Sequence, residues 1–565
     1  MLQIKMKGKG CLYFVNNVQE GMFNKKQIEM LRQNGLMPKE NAYRKVAFDE
    51  ETIRAIFGHE AAEDEDIERL KRYYVKTDIY NAICSSIPLY ILVGHKGVGK
   101  SALFKVLASE DQEQDKVTIT IQPDDILNIK SDEDSFLQRI RDWKDGLSKI
   151  IFRELTRSLN EYINLSDKAK PMQEWANNVF ALLCSVLGKK MEDIQKGYLD
   201  ISNEQLINFF KDSLFKDKTV TVYLDDLDRG WKNSQSDVAN LSAMLNAVRD
   251  LSRDMKNLKF RIALRSDVYY AIRTSDETTD KIDGSVLWLK WSNHEILVML
   301  IKRIETFFGH NFDEEVLLRT KQKDFQSTLN TVFEEKFFGK GHWENAPMYR
   351  VLMSLIRKRP RDLVKLCTLA ARRAANNGHN KILTNDLESI FANYSNDRLT
   401  DTGNEYQSEF PKVKELLLKM KPSQAEIREG HPCRYTRAEL LKKVNNILSM
   451  SNFTTIKNGQ SATAEELAAF MYKINFITAR KKVGNEIKRV YYDENQYIYN
   501  DFSDFGYDYE IHPAYRWALQ PDCQTAHCGR QKLHFDFGIN TSPTVPYRHS
   551  PQALCGLTAD CRSLV

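Results

Sequence analysis

The feature that most constrains this chain is the run Gly94-His95-Lys96-Gly97-Val98-Gly99-Lys100-Ser101, because of what stands on either side of it. Pro88–Val93 before it is a short apolar run that reads as a buried strand. Ser101–Ala108 after it carries apolar residues at helical spacing. A glycine-rich bend between strand and helix aims successive backbone N–H groups, and the positive end of the helix, at one point. Glycine also lets the backbone come close to an anion. The spacing G-x-x-x-x-G-K-[ST] is met in full. Gly94, His95, Lys96, Gly97, Val98 and Gly99 are expected to cradle phosphates, Lys100 to reach the β- and γ-phosphates, and Ser101 to ligate Mg2+. ATP with magnesium is the expected ligand.

Strand-like runs at Val117–Ile121, Thr219–Leu224, Phe260–Leu264 and Ser285–Trp291 alternate with helical stretches, among them Phe136–Leu159. This predicts an α/β P-loop NTPase: a parallel sheet wrapped in helices, with helical insertions. Thr219–Leu224, expected beside the P-loop strand, ends in acids. Asp225 suits the metal, through water; Asp226 suits orienting or deprotonating the attacking water; Asp228 could assist either. Many hydrolysing ATPases carry the longer glutamate where Asp226 stands, so slow turnover, or binding without turnover, stays open. Arg265, ending the next strand, is a candidate for clamping transition-state charge, with an ordinary ion pair as the alternative. In Arg357–Leu366, Pro360 would start a helix. Arg361 is the candidate there for contacting nucleotide from a helical lid, with a solvated basic face as the alternative.

The expected organisation is a leader with helical pieces (1–70), a P-loop core (71–293), a helical lid (294–400), a winged-helix-like domain (401–520) and an irregular tail (521–565). The acidic run Glu60–Glu68 reads as a solvated helix face. Helical segments at Arg437–Leu448 and Ala464–Ile474, then strand-like pieces at Phe476–Arg480 and Ile487–Tyr492, carry the winged-helix expectation. The basic stretch Ala479–Tyr492 would be a wing against a phosphate backbone or a solvated hairpin. His294, His342 and His512 stand outside metal-like spacing and read as structural. The tail's Cys523, His527, Cys528, His534, His549, Cys555 and Cys561 lack a Cys-x-x-Cys pair, so no zinc site is expected.

Composition narrows the class. With 42% hydrophobic and 28% charged residues, disorder throughout is excluded. A net charge of +5 permits nucleic-acid contact without arguing for it. No apolar run is long enough to span a membrane, and the N-terminal lysines are not followed by an apolar segment, so the expectation is a cytoplasmic protein with no membrane partner.

Leu224–Arg229, LDDLDR, is similar to the Walker B signature of KAP- and STAND-type NTPases, and Arg265 looks like the STAND arrangement. Tyr73–Ile83, Ile91–Leu103, Arg357–Cys367, Tyr394–Leu399 and Tyr509–Leu519 together resemble the Fun(Z)-like P-loop ATPases of bacteria and temperate phages, over about Phe57–Pro521. The resemblance implies an ATPase core, a helical lid, a C-terminal winged-helix-like domain and a part in phage exclusion in the bacterial cytoplasm. Nucleotide is the expected partner, with self-association, DNA or a phage component as further ones. The tail after Pro521 departs from the family pattern. Three functions stay open: an ATP-driven switch or effector, an ATP-gated DNA-binding protein, and a nucleotide-binding scaffold.

Overall fold

The computed structural model describes residues 45–520, apart from 128, 130–134, 165–169, 189–201, 211, 213–217, 256, 276–279, 340–342, 431, 452, 454–460, 484–485 and 496–505, together with the backbone of 2–7, 10–15 and 18–23. His342 and the tail lie outside these residues.

The first elements differ from expectation. β1 (Leu2–Lys7), β2 (Gly10–Val15) and β3 (Val18–Phe23) form an antiparallel meander where only helical pieces are expected. The alternation Leu2, Ile4, Met6 is the strand signal that explains it. Helices follow. α1 (Glu50–Phe57) starts where the Asp49 side chain accepts the Thr52 N–H at 2.7 Å. α2 (Ile67–Tyr73) is capped in the same way by Asp66.

The core runs β4 (Leu89–Gly94), α3 (Lys100–Glu113), β5 (Val117–Ile121), α4 (Phe136–Asn164), β6 (Val220–Leu224), α5 (Gln235–Asp254), β7 (Leu258–Arg265) and β8 (Val286–Trp288). All five strands are parallel, in the order β5-β6-β7-β4-β8. This is an α/β P-loop NTPase fold. The acid-tipped strand β6 is not beside the P-loop strand as expected, because β7 lies between them. Strand order is set by long crossovers that a local pattern does not encode.

Successive residues of a strand point to opposite faces, and both faces are buried. Leu89, Ile91 and Val93 join Val220, Val222 and Leu224 in a core beneath α4 and α5. Tyr90 and Leu92 join the other core, with α1, α3 and the helices that follow the sheet. Those are α6 (Asn293–Phe307), then, beyond the short ladder of β9 (Lys336–Phe337) and β10 (Ala346–Pro347), α7 (Pro360–Asn376) and α8 (Thr384–Tyr406). α8 runs to Tyr406 and so crosses residue 400, where the helical lid is expected to end.

The C-terminal part contains β11 (Arg434–Tyr435), α9 (Arg437–Ser449), α10 (Ala464–Lys473), β12 (Ile477–Val483), β13 (Glu486–Val490) and β14 (Asp508–Ile511). The helix–helix–strand–strand succession is as expected. The sheet is four-stranded and antiparallel, in the order β11-β14-β12-β13. Its inner face and both helices belong to the same core as α1, α3 and α6–α8.

Candidate functional site

At the carboxyl end of β4 the chain turns through Gly97 (φ +80) and Gly99 (φ +95), and α3 begins at Lys100. Both glycines adopt the left-handed region that other residues enter at a cost. At Gly97 a side chain would also crowd the lid, since a Cβ there would lie 3.2 Å from the Arg361 Cβ. The loop is held from outside: the Trp291 indole N–H donates to the Val98 carbonyl at 2.7 Å. Lys100 turns its ammonium to the carbonyls of Gly94 (3.0 Å) and His95 (3.4 Å). Burial pulls its pKa down, opposed by the charges of Asp228, Asp225 and Glu405.

The acids after β6 have three different surroundings. Asp225 is largely buried, and burial raises its pKa against a hydrogen bond from Ser101 and another from the Asp226 N–H, the latter 2.9 Å long. Asp226 has φ +57, and its half-exposed carboxylate is bound by Arg229 through Nε at 2.8 Å and Nη2 at 2.7 Å. Asp228 is buried and 3.2 Å from Arg265 Nε. Burial raises its pKa, with Lys100 and Arg265 pulling the other way. Arg265 is itself tied down: it donates to Asp267 at 3.1 and 2.6 Å and to the Glu405 carbonyl at 2.7 Å. It is a partly buried cross-link between β7 and the end of α8, and it lines the cavity.

That cavity has a volume of about 510 Å³. Lys96–Ala102, the three aspartates, Arg265 and Arg361 line it, and so do Leu70, Tyr73, Tyr74, Val75, Met299 and Val364 from α2, the segment after it, α6 and α7. The volume and the mixture of charged and apolar lining fit a triphosphate with an aromatic base. Glu60, Ala62 and Glu63 line it too, so the acidic run is not simply a solvated helix face. Lys105 on α3 donates to the carbonyls of Ala62, Glu63 and Glu65, and Glu65 is buried. Arg361 lines the cavity, with its Nε donating to the Glu60 carbonyl at 3.1 Å.

Two more basic residues of the Pro360 segment, Arg357 and Arg359, are buried and not part of a solvated face. Arg357 pairs with Asp362 at 2.7 Å, and Arg398 of α8 binds the same carboxylate at 2.5 Å. Arg359 donates to Glu405 at 2.6 Å and to the Lys96 carbonyl at 3.1 Å, while the Lys96 N–H donates to Glu405 at 3.2 Å. Burial would raise the Glu405 pKa, but Arg359, His95 and Arg357 hold it below the usual carboxylate range. The buried His95 ring lies 2.9 Å from the Tyr406 hydroxyl, 3.0 Å from Ser266 Oγ and 3.3 Å from Asp493. Sequence reading misses Arg359, Glu405, Tyr406 and Asp493 as parts of the site. Arg359 lies in the basic cluster, but nothing local marks the other three.

Of the other candidates, His294 turns its Nε2 to the Leu318 carbonyl at 2.8 Å. Among the described residues there is no metal-binding group of three or more His, Cys, Asp or Glu, and no helix long and apolar enough to cross a membrane. Arg489, expected on an exposed wing, is buried against Glu510.

Residues 297–403 match the family described as the FunZ-associated C-terminal helical domain. The chain is 21% identical over 466 residues to a transposon gamma-delta protein of 80.3 kDa from Escherichia coli (strain K12), covering 75% of this chain. It spans 62% of that protein's length. Among solved structures it is similar to the Aeropyrum pernix ORC2 protein, at 12% identity and a TM-score of 0.35, covering 80% of this chain and 91% of that one. It is also similar to a point variant of Thermotoga maritima RuvB, at 10% identity and a TM-score of 0.26, covering 76% and 94%.

Proposed function

We propose that this protein binds ATP with magnesium and hydrolyses it, acting as a nucleotide-driven switch or effector. The observation that carries the reading is the convergence of Lys100, Ser101, Asp225 and Asp228 on one cavity that also has an apolar and aromatic lining. Backbone N–H groups of the loop and Lys100 would bind the phosphates, and Arg361 is placed to reach them from α7. Ser101 and Asp225, already joined by a hydrogen bond, supply the hard oxygen donors that magnesium prefers. The metal would neutralise charge that builds on the phosphates. The apolar and aromatic lining, Leu70, Tyr73, Tyr74 and Met299 among it, would take the base. The FunZ-associated match over the lid, with the segments resembling Fun(Z)-like proteins, supports a part in phage exclusion.

Lys100→Ala tests the site. Titration of a fluorescent ATP analogue should show binding weakened by at least about a hundredfold, since the loop loses its only cation on the β- and γ-phosphates. Unchanged affinity would sink the assignment.

A second reading, DNA binding gated by ATP, draws on the C-terminal elements read as a winged helix. Lys481 and Lys488 are exposed and directly opposite each other on the β12–β13 hairpin.

A further inference from the structure

We propose that Asp228, rather than Asp226, is the carboxylate that takes the proton from the attacking water. This rests on the ATPase reading above. Both acids line the cavity, and sequence position alone favours Asp226, directly after the magnesium aspartate.

The structure separates them. Asp226 is turned out by its left-handed backbone, its side chain is 48% exposed, and Arg229 holds one of its oxygens from two nitrogens. A base so placed would act in bulk-like solvent. The Asp228 side chain is 6% exposed. It lines the same cavity as Lys100, the residue that reaches the β- and γ-phosphates in a P-loop. Arg265, 3.2 Å away, fixes its orientation from β7. Asp225 is committed to Ser101 and the Asp226 N–H, on the metal side.

The charged groups facing Asp228 are Lys100, Arg265 and Asp226. Burial raises its pKa, with the two cations pulling the other way. In the step itself, the water oxygen bonds to the γ-phosphorus as its proton passes to Asp228. The bond from the bridging oxygen to the γ-phosphorus breaks, and its electron pair stays on the β-phosphate of ADP. The proton then leaves Asp228 for solvent with phosphate release.

The test uses the full chain with Mg-ATP and reads single-turnover phosphate release beside the Kd for a fluorescent ATP analogue. Asp228→Asn should cut the hydrolysis rate by about a hundredfold or more with Kd changed no more than about threefold, a split expected of a lost general base. Asp226→Asn should cut it by less than about tenfold. Asp226→Asn losing a hundredfold, or Asp228→Asn hydrolysing like the parent, would overturn the assignment. Should Asp228→Asn fail to fold, Asp226→Asn decides alone, since its exposed side chain can be changed without disturbing the core, and Asp228→Glu should retain measurable turnover. A parent protein that binds nucleotide without hydrolysing it overturns the base and leaves nucleotide binding standing. One that binds none overturns the underlying reading as well.

Discussion

His512 shows how far this fold alters one side chain. Its Nδ1 accepts the Ala514 N–H at 3.1 Å, which caps the short turn Pro513–Arg516. The ring proton must then sit on Nε2, facing the Tyr491 hydroxyl at 3.2 Å. Burial, and after it the charges of Arg489, Arg357 and Arg516, push its pKa down to about 3. Unfolded histidine titrates near ~6.5. Between those values the unfolded chain binds a proton that the native one refuses. Stability therefore rises with pH across that window and the contribution is complete above it. Lowering the pH from 7 to 5 should cost about 2 kcal/mol through this residue. Chemical denaturation at the two pH values measures it. His512→Asn, which keeps an acceptor for the cap, should flatten the dependence; an unaltered slope in that variant would refute the account. The residue reads as structural from sequence alone, because it has no metal-like spacing, but of the arginines that depress it only Arg516 is local; Arg489 and Arg357 come from other segments.

At the scale of elements, the β12–β13 hairpin sorts its charges by register. Arg480 lies opposite Arg489 and Lys481 opposite Lys488. Buried Glu510 of β14 pairs with Arg489, with Arg516 at 3.0 Å and with Arg480 at 3.8 Å. The two lysines stay exposed, and like charges facing each other across a ladder are unfavourable unless a polyanion screens them. Replacing both by alanine should weaken binding to duplex DNA and reduce the slope of log affinity against log salt by about 2. No retention of the parent on DNA at low salt, with or without ATP, would remove the DNA-binding reading. Arg489→Ala should instead destabilise the protein, since it takes a cation from a buried carboxylate. The hairpin itself was legible, because strand periodicity is local. The burial of Arg489 was not, because Glu510 arrives from a third strand. The same contrast holds at the site. The strand–loop–helix around Gly94–Ser101 could be read in full, whereas the place of β7 between β4 and β6 depends on crossovers with no local signature.

Over the whole molecule, the two cores are unequal. The one beneath α4 and α5 is confined to the sheet and its own helices. The other runs without a break from Leu92 through α6, α7 and α8 to Tyr515. Helices α6–α8, expected to form a lid, share their core with the sheet and with the elements from α9 to β14, and so are poorly built to swing as a separate body. A nucleotide signal would travel more economically through the polar latch on the P-loop. His95 and Lys96 are the two loop residues before the phosphate-cradling turn, and both are engaged from elsewhere. His95 touches Tyr406, 311 positions away, and Asp493, 398 away. Lys96 is gripped by Glu405 and Arg359. The Asp493 carbonyl accepts from Lys290 at 2.6 Å, and Glu494 pairs with Lys358 at 2.5 Å, so core and lid both hold this short segment of the C-terminal domain. Adding Mg-ATP should therefore change amide hydrogen exchange at the P-loop, in the last turn of α8 and at Tyr491–Asn495. The middles of α7 and α8, buried in the shared core, should exchange as before. Lys100→Ala should abolish all of these changes together. Protection confined to residues 94–101 would mean that the latch only braces the loop, and a uniform change across α6–α8 would restore a lid that moves as a unit.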